Sequence, residues 1–177
     1  DIDETLKYNI SAGYGKQNNI LLFKSSSLIN NMVLDERNAY DYVNTFTGIY
    51  DDGTLSEVKA SLQYFPLENL MVDGEFNFMK YKLENNKNAY YKPLVQTSFG
   101  AKYTMLEKKL NLGFKAILVT DRTGNNFELI EDQTNTPSNY VINENQDYKV
   151  GGYADINLSA EYKIHKNFSI FVNGNNL

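Results

Sequence analysis

The stretch DINLSAEYKIHKNFSIFV, Asp155 to Val172, decides the fold. Its first part puts Ile156, Leu158, Ala160, Tyr162 and Ile164 on one side and Asp155, Asn157, Ser159, Glu161 and Lys163 on the other. A period of two belongs to a β-strand whose faces meet different surroundings. A tight turn at His165-Lys166-Asn167 follows. Phe168, Ile170 and Val172 then open a second strand, Phe168–Asn175, with Phe171 breaking the alternation. The reading is an antiparallel hairpin.

The same period recurs along most of the chain. The apolar sides are Leu6 to Tyr14, Val58 to Tyr64, Leu70 to Phe78, Phe99 to Met105 and Leu110 to Leu118, at alternate positions. Each run is about as long as a tilted strand needs to cross a bilayer. Asn19–Lys24 adds a short apolar run. Eight antiparallel strands are predicted. Pro66, Pro93 and Pro137 fall in turns, loops or strand starts, where a missing N–H costs little.

Composition narrows the function classes. The 177 residues are 42 % apolar and 22 % charged, a composition that does not signal disorder. The net charge of -5 comes with interspersed signs and no basic stripe, which argues against nucleic acid as a partner. There is no cysteine, hence no disulfide framework and no thiolate metal site. No apolar run is long enough for a membrane helix, but barrel strands alternate and escape that test.

Four sites look alike: SAGYGKQNNI, SLQYFPLENL, GAKYTMLEKKL and SAEYKIHKNF. Each is read as a strand end with an outward Tyr before a tight turn. Tyr14, Tyr64, Tyr103 and Tyr162 are therefore expected at one level, as an aromatic girdle between hydrocarbon and water. Cross-strand packing in a soluble sheet is the alternative. Connections at that end are short. Those at the other end, about 25–54, 84–93 and 122–150, are long and polar. Outer-membrane barrels have this asymmetry.

Alternation alone leaves open which face is wet. A soluble lipocalin-like binding barrel would have the apolar face inside. The depth grading, with Tyr at the ends and aliphatic or Phe residues between, favours apolar-out. The expected fold is all-β: an antiparallel transmembrane β-barrel with about eight strands present. A complete eight-stranded barrel with a structural or adhesive role is a further alternative.

The segment YADINLSAEYKIHKNFSIFVNGNNL resembles the C-terminal barrel region of TonB-dependent outer-membrane receptors, of the Bacteroidetes flavour. Asp155, Asn157, Leu158, Tyr162, Asn167, Phe168, Val172, Asn176 and Leu177 carry the likeness. YYKPLVQTSFGAKYTMLEKKLNLGFKAILV resembles an earlier hairpin of the same barrels. The resemblance implies a bacterial outer-membrane location and a 22-stranded barrel. Residues 1–177 would be part of it, with the plug domain and the final strand outside the segment. It also implies energy-coupled uptake of a siderophore, glycan or peptide. The implied partners are outer-membrane lipid, the protein's own plug, TonB and a surface lipoprotein.

No enzyme is expected. The only histidine, His165, sits in a short turn beside Lys163 and Lys166, so no catalytic set, cofactor or metal site is assigned. Asp51-Asp52 and Glu128, Glu131 and Asp132 are candidate Ca²⁺ ligands, with solvated loops the plainer reading; Asp51–Thr54 and Thr123–Asn126 read as turns. Tyr40, Tyr42, Tyr50, Tyr90, Tyr91, Phe127 and Tyr140 are candidate ligand contacts in the long loops. Lys59, Glu75, Lys102, Lys115 and Glu161 are expected in the lumen.

Overall fold

A computed structural model describes residues 5–26, 45–132 and 139–177, with the side chains at 26, 45 and 126–146 outside that description. The described residues contain no helix. They form β1 (Leu6–Ser26), β2 (Thr45–Leu67), β3 (Leu70–Leu83), β4 (Val95–Met105), β5 (Leu110–Val119), β6 (Arg122–Asp132), β7 (Asn139–Val150), β8 (Tyr153–His165) and β9 (Phe168–Gly174). Seven strands make one sheet in the order β1-β2-β3-β4-β5-β8-β9, and β6-β7 form a separate hairpin. All pairs are antiparallel. The sheet is open, with β1 and β9 as its edges.

The eight predicted strands become nine for two reasons. Leu6–Tyr14 and Asn19–Lys24 are one strand, β1, interrupted by a bulge between Gln17 and Ile20. The long connection at 122–150 is mostly a hairpin, and β2 begins at Thr45, inside the predicted 25–54 loop. These outer portions lack the clean alternation by which the other strands were predicted.

Register shows that the predicted apolar sides fall on one face. Tyr8 lies opposite Leu62, Leu62 opposite Gly74, Gly74 opposite Phe99, Phe99 opposite Ala116 and Ala116 opposite Ile156. This face lines no interior: Tyr14 is 79 % exposed, Leu62 44 %, Phe99 52 % and Leu158 49 %. A lipocalin-like reading needs these side chains sealed. Leu6 to Tyr14, Leu70 to Phe78, Leu110 to Leu118 and Ile156 to Ile164 each span nine residues, about 26 Å of strand.

The opposite face is polar. Lys59 Nζ lies 2.9 Å from Glu57 Oε2. The Thr104 hydroxyl donates to Asn111 Oδ1 at 3.0 Å, and Asn111 Nδ2 donates to Glu161 Oε2 at 3.3 Å. Glu75, Lys102 and Lys115 share this face by register.

Three of the four tyrosines expected at one level are related by a regular offset in register. Tyr64 lies opposite Val72 and Val72 opposite Ala101, two residues from Tyr103; Tyr103 lies opposite Leu112 and Leu112 opposite Ala160, two residues from Tyr162. The offset is one residue per strand. At about 3.3 Å per residue and 4.8 Å between strands, a tilt of about 35° brings all three to one height, the tilt of outer-membrane barrels. Tyr14 differs, because the GKQNN that follows it is a bulge and not a turn. It pairs with Ser56, eight positions up β1 from Leu6, which faces Tyr64. Tyr14 marks the opposite end of the apolar stripe, where Lys16 follows it.

Connections at the Tyr64 end are short: 68–69, 106–109 and 166–167. The 106–109 turn is left-handed at Leu106, Glu107 and Lys108, with φ of 53, 54 and 67°. The other end carries the 84–94 loop, the β6–β7 hairpin and the upper halves of β1 and β2.

Candidate functional site at the long-loop end

Burial concentrates at this end. Among the described residues the buried apolar side chains are Ile20, Leu22, Tyr90 and Val119, joined by Asp51 and Asn125. The bulge in β1 makes this possible. Two residues, Asn18 and Asn19, stand against Asp52 alone, so the phase of β1 shifts by one. Below the bulge the even-numbered side chains face outward with the apolar stripe. Above it Ile20 and Leu22 are buried while Leu21 and Phe23 are exposed. Asn19 takes the left-handed conformation (φ 56°), which asparagine tolerates, and its N–H donates to Asp52 Oδ1 at 2.8 Å.

Asp51, 3 % exposed, is the knot of the region. Its carboxylate accepts the backbone N–H of Asp52 (2.8 Å), Asn85 (3.2 Å) and Asn86 (2.8 Å), and the side-chain amides of Asn85 (2.8 Å) and Asn86 (2.7 Å). Burial pushes the Asp51 carboxyl up. The donors of Asn86 and Asn85 outweigh it and hold the carboxyl at about 2. Asp51 is therefore neither a solvated loop residue nor a Ca²⁺ ligand: a cation would meet five N–H groups. Gly53 completes the motif. A Cβ there would stand 2.4 Å from the Lys82 carbonyl oxygen, so only glycine lets β3 close on β2.

The 84–94 loop is strapped to the hairpin, and the hairpin to β1. Tyr91 N–H donates to Thr123 O at 2.8 Å, and Asn88 Nδ2 to Asp147 Oδ2 at 2.7 Å. Ser25 Oγ donates to Asn125 O at 2.8 Å. At the hairpin's base Asp121 pairs with Lys149 and accepts the Gly152 N–H; these two partners hold its carboxyl below the usual range.

The candidate aromatics separate into different roles. Tyr90, 7 % exposed, is a packing residue. Lys24 Nζ stands 5.7 Å from its ring centre, and burial with a hydrogen bond to Asp147 raises its hydroxyl pKa. Tyr91 is half-buried. Its hydroxyl lies 3.2 Å from Tyr148 Oη and donates to Asn125 O at 3.2 Å, while Phe46 meets its ring edge-on at 5.5 Å. Tyr50 is exposed. Tyr40 and Tyr42 lie outside the described residues. Phe127 falls in β6 and Tyr140 in β7, with side chains outside the description, as are those of Glu128, Glu131 and Asp132.

Sequence reasoning missed Phe46 and Tyr148, both exposed beside Tyr91. The signal for Tyr148 was its place in a strand opposite Gly124, whose missing side chain leaves room for the ring. The assembled surface offers Phe46, Tyr91 and Tyr148 with two phenol hydroxyls and the nearby Asp147 carboxylate. Such a surface stacks and hydrogen-bonds; among the described residues no cluster of His, Cys, Asp or Glu can hold a metal.

No family model and no curated protein matches the sequence. Solved structures do. The ferripyoverdine receptor of the outer membrane of Pseudomonas aeruginosa, bound to ferripyoverdine, aligns over 99 % of this chain with a TM-score of 0.62 and 14 % identity. P. aeruginosa FpvA bound to a heterologous pyoverdine aligns over 98 % with 0.61 and 14 %. The copper transporter OprC aligns over 98 % with 0.61 and 13 %. The chain spans 21 %, 21 % and 23 % of those chains. At such identity the likeness is one of fold: this chain is built as a section of the barrel of TonB-dependent outer-membrane receptors.

Proposed function

We propose that this chain is part of the barrel wall of a TonB-dependent receptor in the bacterial outer membrane, of the Bacteroidetes kind. The long-loop end faces the exterior and takes the ligand. The observation that carries the reading is the exposed apolar face, charge-free from the short turns up to a single rim and matched by a polar face behind it. An open sheet with this face has no place in water. In lipid its strands must be paired throughout, so other strands flank β1 and β9.

The fold neighbours bind ferripyoverdine or transport copper, and this chain would likewise serve import and not catalysis. The Phe46–Tyr91–Tyr148 surface suits a flat or polyhydroxylated ligand: a siderophore, a glycan or a peptide. The plug fills the lumen against Lys59, Glu75, Lys102, Lys115 and Glu161, TonB supplies energy, and a surface lipoprotein caps the loops.

Two measurements on cells making the whole protein test this. These 177 residues hold no cysteine, so with any cysteine elsewhere in the protein changed to serine, Lys87→Cys and Glu107→Cys report cleanly. A membrane-impermeant maleimide should label position 87 on intact cells and position 107 only after permeabilisation; the reverse order refutes the orientation. Uptake from a panel of ferric chelates, copper, oligosaccharides and peptides should stop in cells lacking TonB. Uptake that persists there refutes coupled transport.

A further inference from the structure

From the short turns up to the row Lys16–Thr54–Lys82, the outward face carries three charged side chains, Lys16, Lys80 and Lys82. All are positive, all are exposed, and all stand together. Thr54 joins Lys16 on β1 to Lys82 on β3, and one step below, Ser56 joins Tyr14 to Lys80. With strands about 4.8 Å apart, the Cα atoms of Lys16 and Lys82 are about 10 Å apart. Lys80 and Lys82, two residues apart on one strand, are separated by about 7 Å. Four-carbon stems bring three ammonium groups from these positions onto one or two adjacent anions. The Tyr14, Ser56 and Thr54 hydroxyls supply further donors on the same face. In a chain of net charge -5, three lysines gathered on the outward face, with Glu84 paired to one of them, are a specific feature.

We infer that Lys16, Lys80 and Lys82 clamp the phosphate of a lipid headgroup in the leaflet at the long-loop end. The inference rests on the membrane reading above. Its chemistry is charge complementarity at a fixed depth. The cluster sits where the apolar stripe ends, with the Tyr14 ring at its lower edge and hydrocarbon below. A phosphate at that height belongs to a molecule whose acyl chains cover the stripe. Acidic groups nearby are occupied or set back: Glu84 Oε1 lies 3.3 Å from Lys16 Nζ with both side chains more than half exposed, and Asp52 accepts the Asn19 N–H. An exposed pair of this kind yields readily to a phosphate.

The test uses the whole protein in phosphatidylcholine vesicles doped with lipid A bearing two, one or no phosphates. Bound lipid is counted by native mass spectrometry after extraction. Wild-type protein should retain phosphorylated lipid A, and K16Q/K80Q/K82Q should retain it at least about tenfold less. Glu84→Gln, which frees Lys16, should retain more. Equal retention by wild type and triple variant overturns the proposal. So does retention that ignores phosphate number, which marks acyl contact alone, or displacement by millimolar inorganic phosphate, which marks a plain anion site. Insertion is scored separately by flotation. If wild type and triple variant both float but retain lipid alike, this proposal alone fails; if wild type does not float, the membrane reading fails with it.

Discussion

Replacing Phe99 with arginine should destabilise the membrane-inserted protein by about 2–4 kcal/mol beyond the effect of Phe99→Ala. Phe99 stands four residues from Val95 and six from Met105 on β4, about 13 and 20 Å along the strand. At a tilt of about 35° the nearer edge is about 11 Å away in depth, close to mid-bilayer, where a cationic side chain costs most. The alanine variant removes what the ring itself contributes, including its edge contact with Phe114 at 6.3 Å, worth about 0.5–1.5 kcal/mol. Two further variants complete the argument. Val95→Arg, at the stripe's edge, should cost about 0–1 kcal/mol. Ser98→Arg, one residue away on the polar face and opposite Glu75, should cost less than about 1 kcal/mol. The assay is denaturant unfolding of the whole protein in phosphatidylcholine vesicles, with folded and unfolded forms separated by mobility. The reasoning is refuted if Phe99→Arg matches Phe99→Ala, or if Ser98→Arg is the costlier arginine.

Three further outcomes are expected. The Asp51 carboxyl is lowered from 3.8 to about 2, so its contribution, about 2 kcal/mol, is complete above pH ~4 and fades as pH falls toward 2. Pepsin cleavage within 84–94 should therefore rise over that window, and Asp51→Asn should be cleaved readily throughout; a flat wild-type profile counts against the knot. Gly53→Ala forces a Cβ against the Lys82 carbonyl at 2.4 Å and should lower stability by about 1–3 kcal/mol, read as a drop in Tm. Asn19→Val should cost about 1–2 kcal/mol because a β-branched residue resists φ 56°, whereas Asn19→Gly should shift the denaturant midpoint little.

The half of the fold that carries the apolar face was legible because one apolar and one polar side impose a strict period of two. Val58 to Tyr64 and Leu110 to Leu118 announce themselves and keep register with their neighbours. The outer half was not legible for the same reason. In Thr45–Tyr50 and Asn139–Val150 apolar and polar residues do not alternate strictly along the sequence, so no strand phase could be read from them. Asn18-Asn19 and Asp51-Asp52-Gly53 carry the composition of turns, yet cross-strand hydrogen bonds spend them on a bulge and a carboxylate cage. At the candidate site, Tyr91 was singled out from its place in a long polar loop alone. Tyr90 was mistaken for a ligand contact because burial depends on Lys24 and Asp147, which are distant in sequence. Phe46 and Tyr148 were missed because their relation to Tyr91 exists only in three dimensions.

The bulge at Asn18-Asn19 divides β1 into two independently phased parts. Removing one of those asparagines would leave Leu6–Tyr14 undisturbed while turning Ile20 and Leu22 out of their seat and Leu21 and Phe23 into it. A wall that must stay constant can thus carry a crown free to diverge, provided each exchange keeps the residue count across the junction. Crowns traded between walls at this junction, as recombination would trade them, should work as cassettes when spliced beyond Ile20 and fail when spliced one residue out of step.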